Sequence, residues 1–337
     1  MISSVQTQNF GPLEHFDWQN LGSINLILGP NSCGKSFLLK AMYSAIRTLE
    51  DYKRGDDQRT IADILQNKLY WTFQVDKIGD VVTKGSVSPL EYKMTVDGSD
   101  FRYAYGKDTS KQISDIENNI MARESNSLFL PAKEVLTIYH NILKSREVDK
   151  VFGFDDTYLD LARAIRQSPK KGKNYGEFAK SRQKLEDMIG GKIEFDELSG
   201  RWSFKKGNQK FTIGSTAEGI KKIAILDILL GNRYIDENSV VFIDEPESAL
   251  HPKAIEILME IVLLLSSRGI QFFMASHSYF VVKKLFLLAQ QHGISIPVIS
   301  LGENEWVRAD LKDGMPINSI IQASIDLYMQ EINIQIG

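Results

Sequence analysis

Ile24-Asn25-Leu26-Ile27-Leu28-Gly29-Pro30-Asn31-Ser32-Cys33-Gly34-Lys35-Ser36-Phe37 is the stretch on which the fold turns. Its first five residues read as a buried strand that stops at Gly29-Pro30. From Lys35 onward, Leu38, Met42, Ala45 or Ile46, and Leu49 recur on one face of a helix. Between strand and helix, Gly29 to Ser36 fits the pattern G-x-x-x-x-G-K-[ST]. Glycines let main-chain N–H groups turn inward around phosphate oxygens, and the start of the next helix adds a field that favours anions. Lys35 is then placed to hold β- and γ-phosphates, and the Ser36 hydroxyl to ligate Mg²⁺. The run Gly29, Pro30, Asn31, Ser32, Cys33, Gly34, Lys35, Ser36 and Phe37 is the expected cradle for ATP. Cys33 reads as a small loop residue, because a helix start alone does not make a redox centre.

Short alternating stretches precede this strand. After the helix, residues alternate from Lys68 to Tyr105 (Leu69, Trp71, Phe73, Val75; Tyr92, Met94, Val96), which predicts antiparallel strands. Asp108 to Arg123 and Asp155 to Met188 read as helical and polar. Gly190-Gly191 and Ser199-Gly200 bracket a hairpin over Lys192 to Phe211. A helix from near Glu218 carries Ile223, Leu226, Leu229 and Leu230. Two apolar strands, Val240 to Ile243 and Gln271 to Ala275, flank a helix from Pro252 to Ser266. Strands alternating with helices in this way predict an α/β fold with a mainly parallel sheet, into which the antiparallel and helical segments are inserted.

The composition narrows the class. With 43% apolar and 25% charged residues, a chain of 337 has enough apolar material for a real core. A net charge of −3 points to neither a nucleic-acid coat nor a membrane-surface protein. The single cysteine, Cys33, excludes an intrachain disulfide and any CxxC metal site. Met1 to Gln8 lacks a signal-peptide core, and the run Ile257 to Leu265, broken by Glu260, is about half of the ~20 residues a membrane span needs. The expectation is a soluble, cytoplasmic protein with no membrane partner.

Val240-Val241-Phe242-Ile243-Asp244-Glu245 is an apolar strand ending in two carboxylates. A buried carboxylate is costly without a cation, and Mg²⁺ would supply one for Asp244. Glu245, one residue on, is placed to orient and deprotonate a water. Alone, the same residues read equally as a strand that ends in surface acids. They are followed by Pro246-Glu247-Ser248-Ala249-Leu250-His251-Pro252 and, after another strand, by Ala275-Ser276-His277-Ser278.

That order of motifs resembles ATPases of the ABC class, and within it the SMC/RecF/OLD branch rather than the transporters. Asn9-Phe10-Gly11-Pro12-Leu13 ahead of the loop matches the same branch, and the resemblance covers essentially the whole chain. It implies a P-loop ABC-type ATPase head with an antiparallel β subdomain and an inserted helical subdomain. It also implies one domain over 1–337: a nucleotide-binding lobe with antiparallel strands (1–108), a helical insertion (109–190), and a lobe with the hairpin, signature helix, acidic strand and switch histidine (191–337). By the resemblance Lys35, Glu245 and His277 are catalytic, with Glu245 the base and His277 touching the γ-phosphate. Ser36 and Asp244 hold the metal, and Ser248 to His251 takes the place of the loop that crosses a dimer interface. By itself His277 reads as an ordinary strand-end histidine, and His251-Pro252 as a helix start.

ABC ATPases complete the site across a head-to-head dimer with a Ser-x-Gly signature. Ser215-Thr216-Ala217-Glu218-Gly219-Ile220-Lys221-Lys222 lies in that place. Gly219 fits the glycine that acts in trans, but Ala217 replaces the serine whose hydroxyl bonds phosphate. Lys221 or Lys222 would substitute for part of that contact, or be solvated. No Q-loop glutamine follows the strand Ser127 to Pro131; Lys133 and Glu134 stand there as candidates for nucleotide, metal or water contacts. Both departures leave ATP binding in place and make slow or partner-regulated hydrolysis the expectation.

A dimer that closes on ATP and opens on hydrolysis needs something to use the movement. The segment between Tyr105 and Gly219 has no heptads for a coiled-coil arm. By resemblance, stand-alone ATPases of this size serve bacterial anti-phage modules in which a separate nuclease or toxin is the effector. Two other readings compete. One is a RecF-like DNA-maintenance ATPase, with Arg163, Arg166, Lys170, Lys171, Lys173, Lys180, Arg182 and Lys184 contacting DNA or an acidic partner. The other is a nucleotide-dependent scaffold that barely hydrolyses. The stretch Pro316 to Glu331, with Ile320, Ile321, Ile325 and Leu327, predicts an amphipathic helix that either docks a partner or packs on its own domain.

Overall fold

The strand that leads into the glycine loop, β3 (Ile24–Leu28), is buried along its whole length in the computed structural model of the protein, which describes residues 1–168, 176–301 and 305–336. Two antiparallel strands precede it, β1 (Ile2–Phe10) and β2 (Leu13–Gln19), and α1 (Lys35–Asp51) follows the loop. Next come α2 (Ile61–Phe73), β4 (Leu90–Val96), β5 (Ser99–Tyr105), β6 (Asp115–Asn118) and β7 (Leu128–Leu130). Helices α3 (Tyr139–Leu143), α4 (Asp156–Arg166) and α5 (Gly176–Ile189) lead to β8 (Lys192–Asp196), β9 (Arg201–Lys206) and β10 (Gln209–Thr212). The rest is α6 (Glu218–Gly231), β11 (Val240–Asp244), α7 (Pro252–Ser266), β12 (Gln271–Ser276), α8 (Tyr279–His292), β13 (Pro297–Leu301), β14 (Trp306–Asp310) and α9 (Ser319–Ile336).

The central sheet has the order β14-β13-β3-β12-β11-β7, parallel except for the edge strand β14. Side chains alternate between its faces. Leu26, Leu28, Ile243 and Met274 join one core with α4 to α8, while Ile27, Phe242, Phe273 and Ala275 join a second with α1 and the antiparallel sheet β2-β1-β4-β5-β6. This is the expected α/β architecture, with the parallel sheet as its core and the antiparallel sheet beside it.

Three local expectations fail for identifiable reasons. The alternation of Leu69, Trp71 and Phe73 is not a strand but the end of α2. There the Thr60 side chain accepts from the Asp63 N–H and the Asp63 carboxylate accepts from the Thr60 N–H, a capping box that starts a helix. Its buried set, Ile64, Leu65, Lys68, Leu69 and Thr72, has helical spacing. Asp108 to Arg123 is not helical: it holds strand β6, paired with β5. The hairpin over Lys192 to Phe211 gains a third strand, because Gln209–Thr212 folds back on β9.

Helix α9 is held at its start, where Ile320 and Ile321 pack on the core, while Leu327 (67% exposed) and Tyr328 (62%) face outward. Among the described residues no helix is long and apolar enough to cross a membrane.

Candidate nucleotide site

Register brings the site together. Asp244 on β11 lies opposite Ala275 on β12, and Ser276 lies opposite Leu28 on β3, so the loops after all three strands leave the sheet at one edge. In open parallel sheets this carboxyl edge is where ligands bind. The fold thereby gathers Lys35, Ser36, Asp244, Glu245 and His277 from positions about two hundred residues apart.

The loop is shaped for anions. Gly34 precedes α1 with φ +94°, a conformation costly for any other residue, and a Cβ there would sit 3.2 Å from Pro12 Cγ. The turn at Gly11-Pro12 therefore rests on the loop, which accounts for the N-terminal motif. Lys35 is buried, and its Nζ donates to the carbonyls of Gly29 (2.8 Å) and Pro30 (2.7 Å). Cys33, partly buried in the loop, has the Lys35 ammonium 3.9 Å from its sulfur.

Ser36 Oγ donates to Asp244 Oδ1 at 3.0 Å. Burial pushes the Asp244 carboxyl above its ordinary value and the neighbouring Glu245 adds to this, against the Ser36 hydrogen bond and the charges of Lys40 and Lys222. A hydroxyl and a desolvated carboxylate side by side are hard oxygen donors, and they fit Mg²⁺. Among the described residues no group of three or more His, Cys, Asp or Glu could hold a metal, so an ion here would draw its other ligands from phosphate and water.

Glu245 sits in the left-handed region at φ +49°, unusual for a non-glycine residue, and its N–H donates to the Ala275 carbonyl at 2.9 Å. Its Oε1 is 3.6 Å from His277 Nδ1. Glu247 lies within the motif but received no role from sequence, and the fold places it against the end of β12. Its Oε1 accepts from Ser276 Oγ at 2.9 Å and from the His277 N–H at 3.1 Å, tying the β11 loop to the end of β12. Its Oε2 is buried without a hydrogen-bond partner. The signal was the third acid of Asp244-Glu245-Pro246-Glu247.

The signature region is organised within its own chain. A Cβ on Gly219 would lie 2.5 Å from the Ala249 carbonyl oxygen, so the glycine permits α6 to touch the loop after β11. Lys221 is engaged within its own chain: its buried Nζ donates to Glu134 Oε1 (3.2 Å) and Thr137 Oγ1 (2.8 Å). Lys222 instead donates to the Glu245 carbonyl. Lys133 is exposed and makes no side-chain hydrogen bond among the described residues. His251 Nδ1 accepts from the Lys253 N–H at 3.2 Å and caps α7, with Pro252 in its first turn.

Three of the five described residues of the basic segment are ion-paired within the chain. Arg163 pairs with Glu147, Arg182 with Asp227, and Lys184 with Glu260, at 2.8, 2.7 and 2.7 Å. Lys170, Lys171, Lys173 and Tyr175 lie outside the described residues.

A phosphate loop, an Asp-Glu strand end and a histidine on one edge of this sheet define a P-loop ATPase domain with the fold of an SMC head. The chain belongs to the family described as "AAA domain, putative AbiEii toxin, Type IV TA system", whose model matches residues 24–283. Comparison with curated proteins returns no match. Among solved structures, the chain is similar to an Smc head bound to the C-terminal winged-helix domain of ScpA (TM-score 0.56, 13% identity, covering 94% of this chain and 99% of that one). It is also similar to an Smc head with an extended coiled coil bound to the C-terminal domain of ScpA, derived from Pyrococcus furiosus (TM-score 0.51, 10% identity, 98% and 99%). At these identities the likeness is one of fold.

Proposed function

We propose that this chain is an ATP-hydrolysing switch that closes head to head with a second copy around nucleotide and drives a separate effector protein in a toxin-linked or anti-phage module. The observation that carries the reading is the convergence of Ser36, Asp244, Glu245 and His277 beside the phosphate loop. The family's description, which joins the ATPase domain to a toxin system, supports the setting.

In this reading Lys35 exchanges the Gly29 and Pro30 carbonyls for phosphate oxygens. Ser36 and Asp244 would hold Mg²⁺, which when bound neutralises charge on the phosphates. Glu245 orients a water and takes its proton as the water oxygen bonds the γ-phosphorus; the bond to the bridging oxygen breaks and ADP leaves with that electron pair. His277, held by Glu247, supports the γ-phosphate. Gly219 of the second copy faces the nucleotide, and Ala217, without a hydroxyl, makes turnover slow. SMC heads that bind a ScpA domain offer a precedent for an output carried by another polypeptide.

Glu245→Gln is the test. We expect ATP binding to survive, hydrolysis to fall by about 100-fold or more, and an ATP-dependent dimer to accumulate in light scattering. If both wild type and variant remain monomeric with saturating ATP, the switch reading is lost. ATP-dependent co-purification with the product of an adjacent reading frame tests the effector.

A further inference from the structure

A second cavity lies at the other end of α1, between α2, residues 144–150 and α4, with a volume of about 820 Å³. That is within the range of small-ligand pockets, ~300–1,000 Å³. The 17 residues of α1 separate it from the phosphate loop by roughly 25 Å, at about 1.5 Å per residue.

Its floor is a fixed ionic network. Lys68 Nζ lies 2.8 Å from Asp160 and 3.4 Å from both Asp51 and Asp156. Arg47 reaches Asp51 at 3.0 Å, and Arg146 reaches Asp156 at 2.6 Å. Arg47 also pairs with the buried Glu50 at 3.0 Å, so three cations here meet four carboxylates and the floor is internally paired and held in place. Two donors are nonetheless left over: the buried Nε atoms of Arg47 and Arg146 have no hydrogen-bond acceptor.

The mouth is not balanced. Arg54, Arg59, Lys150 and Arg163 line it against one acid, Asp57. Arg59 is bound to Asp57, and Arg163 to Glu147. Arg54 reaches only the Glu124 carbonyl, at 3.3 Å, and Lys150 has no acid partner among the described residues. One wall is Trp71, with the Arg146 guanidinium carbon 4.0 Å from its ring centre. Uncompensated cations around a concave, preorganised site recognise a compact anion. Among the described residues Arg182 and Lys184 do not extend these cations into a stripe of the kind an extended nucleic-acid strand needs, being engaged with Asp227 and Glu260.

We propose that this cavity binds a small phosphorylated ligand, up to nucleotide size, at a site separate from the phosphate loop, with Arg54 and Lys150 contacting the phosphates. Inorganic polyphosphates and nucleotides share that chemistry. The test is calorimetric titration of the full chain carrying Lys35→Ala, which disables the loop lysine, with tripolyphosphate and in parallel with ADP. Binding that weakens at least tenfold on adding Arg54→Ala and Lys150→Ala, and is abolished by Arg54→Glu with Lys150→Glu, supports the site. Tighter binding of ADP would assign a nucleotide, and tighter tripolyphosphate an inorganic anion. Unaltered affinity in those variants, with melting temperatures unchanged, overturns the proposal. So does an outcome in which a single-stranded 20-mer binds through Arg54 and Lys150 while neither small probe does.

Discussion

Lys222 Nζ donates to the main-chain carbonyl of Glu245, so the helix of the signature region grips the turn that carries the candidate base. That turn needs a grip, because Glu245 is held in the left-handed region, which costs a non-glycine residue on the order of 1–3 kcal/mol. Burial lowers the Lys222 pKa to about 8, against the pull of Glu247, Asp244 and Glu245. An ammonium is the stronger donor, so the grip weakens as pH rises through that value. We expect an alkaline limb near pH 8 in the rate of ATP hydrolysis, removed by Lys222→Arg, and a rate about tenfold lower in Lys222→Met with ATP affinity retained. Stability moves the other way. The folded pKa lies below the ordinary lysine value of 10.5, so the unfolded chain binds more protons between about 8 and 10.5, and this group's contribution rises with pH across that window. A pH profile identical in wild type and Lys222→Arg would remove the positioning role.

Gly219 is predicted to matter before any dimer forms. Gly219→Ala places a methyl 2.5 Å from the Ala249 carbonyl oxygen and 3.0 Å from Leu250 Cδ2. Main chain yields poorly, so we expect a loss of about 1–3 kcal/mol in nucleotide-free thermal or urea unfolding. A variant as stable as wild type that fails only in ATP-induced pairing would assign the glycine wholly to the interface.

The loop at Gly29 to Ser36 was legible because phosphate binding demands contiguous residues, and Asp244-Glu245 because the chemistry needs acids at the end of a buried strand. What sequence hid was pairing over distance. Lys221 meets Glu134 across 87 positions, and Lys68 meets Asp160 across 92, so neither lysine could be read as buried. Helix α2 was hidden differently: Leu69, Trp71 and Phe73 mimic a strand's period, and only the Thr60–Asp63 cap betrays the helix. Glu247 lay in plain view within its motif, but its bond to the His277 N–H exists only because β11 and β12 are neighbours.

Lys68 supports the largest predicted stability effect. Its removal leaves Asp156 and Asp160, both buried, without their shared cation. Breaking a buried network on one side costs about 3–5 kcal/mol, so Lys68→Met should lower the urea midpoint sharply. Adding Asp160→Asn should recover part of the loss. Burial opposes the Asp160 charge, but Lys68 and Arg47 hold its carboxyl down at about 2. Its stabilisation is therefore complete above the ordinary 3.8 and lost as pH falls toward 2. Equal midpoints for wild type and Lys68→Met at neutral pH would contradict this account.

Asp244 should govern the metal-dependent part of nucleotide affinity and little else. Burial raises its pKa, so the ionised form is reluctant until a cation arrives. Asp244→Asn keeps the shape and an acceptor for Ser36 Oγ but removes the charge. We expect ATP affinity in EDTA to be nearly unchanged and the gain on adding Mg²⁺ to fall by at least about tenfold, or about 1.4 kcal/mol. In wild type the same gain should decline on acidification at a higher pH than an ordinary carboxylate with pKa 3.8 would give, because Asp244 must lose its proton to hold the ion. Equal losses with and without Mg²⁺ would instead mean that the substitution disturbs the loop itself, and the Ser36–Asp244 pair would lose its assignment as the metal-holding edge of the site.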